Sequence, residues 1–226
     1  MISLEKISKK IDYTLLKSHI RENNIRKLCE EAVLNNFHSV CINSIWLNDA
    51  KKFIDSSSVK LCTVAGFPLG SISTKLKIIE VENCIENGAS EVDVVMNIGY
   101  FKDKRYKYIS DEISKIVHCA DGKIIKIIIE SGVLSKEEII VASKIVEDNG
   151  AHYIKTSTGF ASFGASPKII SIIKSSTNSK IKIKASGGIK SYSQIKKLID
   201  LGVDRIGTSS GVIIMKELND NGCKFV

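Results

Sequence analysis

Two rhythms of apolar residues alternate along the chain: short runs of period two, and longer stretches in which apolar positions return every three or four residues. Four junctions punctuate them, Asn35-Asn36-Phe37-His38-Ser39-Val40, Asn87-Gly88-Ala89-Ser90-Glu91-Val92, Asn149-Gly150-Ala151-His152-Tyr153-Ile154 and Leu201-Gly202-Val203-Asp204-Arg205-Ile206. Each sets Gly or Asn where a helix closes on a left-handed residue, and a strand follows two or three positions later. The strands so predicted are Ile11 to Leu15, Ser39 to Asn43, Leu61 to Gly66, Glu91 to Asn97, Ile124 to Glu130, Tyr153 to Thr156, Ile181 to Ala185 and Arg205 to Thr208. Helices are predicted between them. Examples are Ser73 to Asn87 with Leu76, Ile79, Val81 and Ile85, Ser135 to Asn149 behind a Ser135-x-x-Glu138 capping box, and Ser191 to Leu201 with Ile195, Leu198 and Ile199 on one face.

Regular alternation of strand and helix with short loops predicts an α/β fold with a parallel sheet, and eight units predict a closed TIM (β/α)8 barrel. The strand faces agree. In the seventh strand Ile181 and Ile183 oppose Lys182 and Lys184, and in the fourth Val92, Val94 and Met96 oppose Glu91, Asp93, Val95 and Asn97. An open sheet covered by helices on both sides reads apolar on both faces. Here Asp12, Asn43, Asp93, Glu130, Lys155 and Lys184 converge instead on a polar interior.

Composition narrows the function. At 226 residues, 43% hydrophobic and 26% charged, one domain spanning residues 1–226 is expected. No run long and apolar enough to span a membrane and no signal-peptide pattern is found, so a cytoplasmic protein without a membrane partner is expected. Cys29, Cys41, Cys62, Cys84, Cys119 and Cys223 stand singly, and His19, His38, His118 and His152 form no ligand pair, so no metal is expected, and the reaction read below calls for no organic cofactor. The net charge of +8 is spread along the chain rather than gathered into a stripe, which argues against a nucleic-acid partner. No dinucleotide or phosphate-loop glycine motif follows the first strands.

The candidate chemistry centres on Tyr153-Ile154-Lys155-Thr156-Ser157-Thr158-Gly159-Phe160, where a lysine ends a strand that is expected to be buried. Lys184 ends the neighbouring strand and is expected to point inward too. Two close ammonium groups do not both ionise cheaply, so one is expected as a free amine able to attack a carbonyl. Asp93, inward on the fourth strand, is placed to relay protons. Lys182 is read as an ion-paired barrel lysine with Glu91 among its neighbours. After the last two strands, Ala185-Ser186-Gly187-Gly188-Ile189 and Gly207-Thr208-Ser209-Ser210-Gly211 offer backbone N–H groups and hydroxyls suited to a phosphate dianion.

These segments, together with Ile11 to Lys17, Val40 to Asn43, Gly66 to Gly70 and Glu91 to Asn97, resemble the 2-deoxyribose-5-phosphate aldolase family, class I aldolases of deoxyribonucleoside breakdown, nearly end to end. The resemblance implies Lys155 as the Schiff-base lysine, Lys184 as the lysine that tunes it and Asp93 as the carboxylate that moves protons with water. It implies Asp12, Thr14, Thr156 and Thr158 around the sugar, Gly159, Gly187, Gly188, Gly207, Ser209 and Ser210 around the phosphate, and Cys41 near the aldehyde. Members form dimers or tetramers, so a homo-oligomer is expected. Tyr13, Ser44 and Ser131-Gly132 depart from common family residues. The tail tyrosine of some longer relatives has no counterpart after Tyr192, which leaves Asp93 and water to assist deprotonation.

The reaction implied is reversible cleavage of 2-deoxy-D-ribose 5-phosphate to D-glyceraldehyde 3-phosphate and acetaldehyde. Two rivals stay open: a phosphosugar isomerase or an aldolase of longer ketoses on the same barrel, and an idle barrel that binds nucleic acid through its charge.

Overall fold

All four predicted junctions close on left-handed residues, Asn36 (φ 53°), Gly88 (φ 97°), Gly150 (φ 77°) and Gly202 (φ 86°), a conformation that side chains other than Asn rarely adopt. The structure, a computed structural model, describes residues 4–178 and 180–220. Cys223 and the Lys224-Phe225-Val226 ending fall outside them. The strands are β1 (Ile11–Leu15), β2 (Ser39–Ile42), β3 (Lys60–Ala65), β4 (Glu91–Val95), β5 (Ile124–Ile128), β6 (Tyr153–Lys155), β7 (Lys182–Ser186) and β8 (Arg205–Thr208). All neighbours run parallel and β1 pairs with both β2 and β8, so the barrel closes as expected.

Around it lie α1 (Leu4–Ser8), α2 (Glu22–Leu34), α3 (Leu47–Phe53), α4 (Thr74–Glu86), α5 (Ile98–Lys102), α6 (Tyr106–Cys119), α7 (Lys136–Asp148), α8 (Pro167–Ser176), α9 (Tyr192–Asp200) and α10 (Gly211–Asp220). The first and eighth strands lie where predicted and the third and seventh are displaced by one residue, while the second, fourth, fifth and sixth end one or two residues early, where a polar residue leaves the sheet to shape a loop. Asn97, for instance, caps α5 by accepting the Tyr100 N–H at 3.2 Å, and Glu130 turns left-handed at φ 49°. No helix among the described residues is long and apolar enough to cross a membrane.

The apolar core lies outside the barrel. Val92, Val94, Ile125, Ile127, Ile154, Ile183 and Ile206 are buried in one cluster with Ile25, Leu28, Ile109, Ile113, Ile170 and Ile195 from the helices. Each such side chain stabilises the fold by about 1.5–3 kcal/mol. One helix departs from the sequence reading. On α4, Leu76 and Ile79 are half exposed, while Lys77, Val81 and Cys84 form the buried stripe. Lys77 is drawn in by Glu112 of α6, whose Oε1 accepts its Nζ at 2.7 Å and the Asn97 N–H at 3.2 Å, while Oε2 accepts the Thr74 hydroxyl at 3.1 Å.

Candidate active site

Every strand sends a polar or sulfur-bearing side chain into the barrel, and these form one connected layer. Asp93 sits at its centre, fully buried, in register with Lys126 of β5. Its Oδ1 accepts Lys126 Nζ at 2.8 Å and the Cys62 thiol at 3.3 Å. Its Oδ2 accepts both Lys155 Nζ at 2.8 Å and Lys184 Nζ at 2.7 Å. Lys155 and Lys184 are register partners on β6 and β7, which is why both amines reach the same oxygen. Burial alone would raise the Asp93 carboxyl, but the Lys126, Lys155 and Lys184 ammonium groups overcome it and hold the group well below the usual carboxylate range. Burial opposes charge on Lys184, but Asp12 and Asp93 raise it well above an ordinary lysine, so Lys184 is an ammonium.

Lys184 also pairs with Asp12 Oδ2 at 2.6 Å. Asp12 Oδ1 accepts Arg205 Nε at 2.8 Å and the Ser39 hydroxyl at 2.7 Å. Arg205 bridges on to Glu91 at 3.0 Å, and Glu91 meets Lys126 and, at 3.1 Å, the half-exposed His38. The network therefore runs the length of the barrel, from His38 at its base to Lys155 at its mouth. Within it Lys126, Lys184 and Arg205 each contact two carboxylates, whereas Lys155 contacts Asp93 alone.

Lys155 opens into a cavity of about 190 Å³ lined by Thr14, Thr158, Gly159, Ser186, Gly187, Gly188, Gly207 and Ser209. Its far rim is the pair of glycine turns. Gly187 and Gly188 lie at φ 90° and 75°, and a methyl on Gly164 would strike the Gly187 carbonyl oxygen at 2.1 Å, so the β6 and β7 loops touch through bare backbone. The Thr208 hydroxyl donates to the Ile189 carbonyl at 2.7 Å and ties the two turns together. Lys17 and Lys190 add positive charge to the lining. Beside Lys155, the buried Leu16, Cys41, Cys62 and Val64 make a separate small apolar cluster with Phe67, whose ring centre is 6.0 Å from Lys155 Nζ.

Other expected residues take different places. Asp12 and Cys41 are wholly buried beneath the cavity floor and line the ionic layer. The Thr156 hydroxyl is spent on the backbone of Ser186, donating to its carbonyl at 3.1 Å and accepting its N–H at 3.0 Å. Thr158 faces the cavity, but its hydroxyl is held by Glu130. Ser210 lies outside the lining, and its N–H donates to the Thr208 hydroxyl at 2.9 Å. Asn43 starts a short 3-10 turn and is not in the ionic layer.

Lys182 does not pair with Glu91: it is exposed, with its Nζ 5.7 Å from the Tyr153 ring centre, and Lys126 and Arg205 hold Glu91 instead. Those two residues were missed by sequence reasoning, although Lys126 interrupts an isoleucine run at an inward position. Ser186, which the sequence shows only as part of a glycine turn, lines the cavity, and among the described residues its buried hydroxyl has no partner.

Cys41, Cys62 and Asp93, and likewise Asp12, Cys62 and Glu91, bring donor atoms within 4.8 Å of one another, close enough to hold an ion. Each of those carboxylates already carries at least two cationic side chains, so a metal would have to displace them.

A family model described as DeoC/LacD family aldolase matches residues 6–217. The chain is 44% identical over 212 residues to a deoxyribose-phosphate aldolase of Dictyoglomus turgidum, covering 94% of this chain and 97% of the relative. Among solved structures it is similar to a putative deoxyribose-phosphate aldolase from Coccidioides immitis (TM-score 0.92, 34% identity, covering 96% of this chain and 87% of that one). It is also similar to the deoxyribose phosphate aldolase from Aeropyrum pernix, described as having a unique tetrameric structure (TM-score 0.90, 30% identity, covering 97% and 93%). The match runs through every strand that carries the ionic layer, and the chain belongs to the DeoC/LacD family of aldolases, carbon–carbon lyases, on the branch whose members bear the name deoxyribose-phosphate aldolase.

Proposed function

We propose that this enzyme reversibly cleaves 2-deoxy-D-ribose 5-phosphate to D-glyceraldehyde 3-phosphate and acetaldehyde through a Schiff base on Lys155, in cytoplasmic deoxyribonucleoside breakdown. The observation that carries this reading is the convergence of Lys155 and Lys184 on one oxygen of Asp93, at the floor of a cavity rimmed by two glycine turns. Pairing supports Lys155 as the nucleophile: Lys126, Lys184 and Arg205 are each held between two carboxylates, whereas Lys155 contacts Asp93 alone and opens into the cavity.

The Lys155 amine adds to C1 of the open-chain sugar, and the carbinolamine loses water to give a protonated imine. Asp93, through water, takes the proton of the C3 hydroxyl as the C2–C3 bond breaks, and the electron pair moves into the imine. Glyceraldehyde phosphate leaves. Lys184 supplies the proton economy around Asp93 while the two-carbon enamine is protonated at C2 and hydrolysed to acetaldehyde. Leu16, which lines the cavity above the small apolar cluster of Cys41, Cys62, Val64 and Phe67, suits that two-carbon piece. The turns at Gly187 and Ser209, with Lys17 and Lys190, suit the phosphate at the other end.

Borohydride reduction in the presence of substrate, followed by peptide mapping, is expected to leave the reduced adduct on Lys155. An unmodified Lys155 sinks the assignment, and an active preparation that releases no acetaldehyde sinks the substrate.

Assembly into a homo-oligomer is part of the same reading. Leu76 and Ile79 on α4 are 52% and 50% exposed, and Leu69 and Ile72 in the loop that leads into it are 73% and 36% exposed, apolar side chains suited to a second copy of the chain. The tetrameric A. pernix relative supports it. Light scattering is expected to give a multiple of the chain mass that drops when Leu76→Glu and Ile79→Glu are combined; an unchanged mass refutes this interface.

A further inference from the structure

We propose that Cys41 and Cys62 form a redox pair beside the reacting groups, which a hydroperoxide converts to a disulfide, arresting the aldolase reversibly. The strands place the two thiols together. Cys41 of β2 and Cys62 of β3 are direct register partners, so both side chains leave the same face of adjacent strands. Neighbouring strands lie about 4.7–4.9 Å apart, inside the Cα separation that a disulfide spans. The two Sγ atoms already lie within 4.8 Å of each other, and both thiols are buried against Asp93. Cys29, Cys84 and Cys119 sit instead on α2, α4 and α6.

The environments of the two sulfurs divide the labour. The neighbouring Cys62 thiol, together with the Lys184 and Lys155 charges, outweighs burial and holds the Cys41 thiol down at about 7. Burial and the neighbouring Asp93 keep Cys62 protonated well above the ordinary range. Among the described cysteines Cys41 alone is lowered; burial pushes Cys29 and Cys84 up to about 12 and Cys119 also upward. Cys41 is therefore the attacking thiolate and Cys62 the resolving thiol.

The chemistry balances with a hydroperoxide as the only co-reactant. The Cys41 thiolate attacks the peroxide oxygen, the O–O bond breaks, and the departing oxygen takes up the proton that Cys41 lost, leaving a sulfenic acid. The Cys62 sulfur then attacks the Cys41 sulfur, and the Cys62 proton leaves with the hydroxyl as water. Two thiols and one hydroperoxide become one disulfide, one water and one alcohol, or two waters from hydrogen peroxide.

Closing the S–S bond to ~2.05 Å removes the Cys62 S–H donor that reaches Asp93 Oδ1 at 3.3 Å and draws Cys41 from its place 3.9 Å from Oδ2, the oxygen shared by Lys155 and Lys184. It also changes the sulfur that accepts Lys126 Nζ at 3.4 Å. The site that loses its geometry is the one that performs the cleavage, so arrest rests on the aldolase reading above.

The test is brief hydrogen peroxide treatment of the whole enzyme, with acetaldehyde release assayed before treatment, after it and after dithiothreitol, alongside non-reducing peptide mapping. The expected result is a linked Cys41–Cys62 peptide lighter by two hydrogens, a fall of tenfold or more in release, and recovery on reduction. In Cys62→Ser the sulfenic acid has no resolving partner, so Cys41 passes to the sulfinic acid and its loss resists dithiothreitol. The wild-type map decides the matter even if that variant does not fold. Inhibition without a linked peptide, or a linked peptide with unchanged release, overturns the proposal. An enzyme that releases no acetaldehyde before oxidation refutes the cleavage reading instead, and the map then decides the pair alone.

Discussion

At Gly207 a hydrogen in place of a methyl leaves room for Lys184. A Cβ there would lie 3.2 Å from Lys184 Cε and 2.8 Å from the Ser186 hydroxyl, contacts that the neighbours must yield to. Gly207→Ala is therefore expected to fold, yet to cost on the order of tenfold or more in kcat by displacing Lys184 from Asp93. A thermal melt alongside the rate separates the effects, and an equal loss of stability and activity counts against displacement. The orphan hydroxyl of Ser186 gives a second expectation. If it meets the substrate, Ser186→Ala removes a hydrogen bond worth about 0.5–1.5 kcal/mol, a roughly two- to tenfold fall in kcat/KM with the melt unchanged. Lys155, Lys184 and Asp93 were legible in the sequence because each interrupts an apolar strand on its inward face. Ser186 was not, since a serine in a glycine turn reads as loop chemistry until the backbone shows which way its side chain faces.

The strands were legible as elements because two local signals agree, alternation of period two and a left-handed residue before each of four strands. The helices were less so. On α4 apolar spacing put Leu76 and Ile79 among the core candidates, and the structure buries Lys77 instead, because a partner on another helix repays the cost of bringing its charge inside. No pattern within α4 contains that partner. Burial pushes the Lys77 ammonium down and Glu112 opposes it, so the pair stands or falls together. Removing the charge of Glu112 with Glu112→Gln is expected to destabilise the enzyme by about 3–5 kcal/mol in urea titrations, since the Lys77 ammonium is left unpaired in the interior. Joint replacement, Lys77→Met with Glu112→Leu, is expected to recover most of that loss. If the double variant is as unstable as the single one, the helices are joined by something other than this pair.

For the whole molecule, the unusual feature is what fills the barrel. TIM barrels commonly stack branched apolar side chains inside. Here Asp12, Ser39, Cys62, Asp93, Lys126, Lys155, Lys184 and Arg205, one from each strand, make the interior an ionic layer, so closure of the sheet and assembly of the site are one event. That coupling sets the response to acid. Burial would raise the Asp12 carboxyl, but Lys184 and Arg205 hold it at about 2 against an ordinary 3.8. Asp93 lies well below its ordinary range, and Glu91, where Lys126, His38 and Arg205 prevail over burial, is lowered too. A carboxyl lowered by folding adds stability that is complete above its unfolded value and is lost as pH falls through its folded value. The contribution of these groups is therefore full from neutrality down to about pH 4 and declines toward pH 2. Arg205→Met leaves Asp12 and Glu91 with one fewer cation each, so their folded-state carboxyls move back up toward their unfolded values, and melting temperatures collected from pH 7 to 2 are expected to be lower at neutrality, to begin falling near the same pH as in the wild type and to fall less steeply. A variant whose curve is lowered but keeps the wild-type pH dependence would mean that Arg205 packs the barrel without holding its carboxylates ionised.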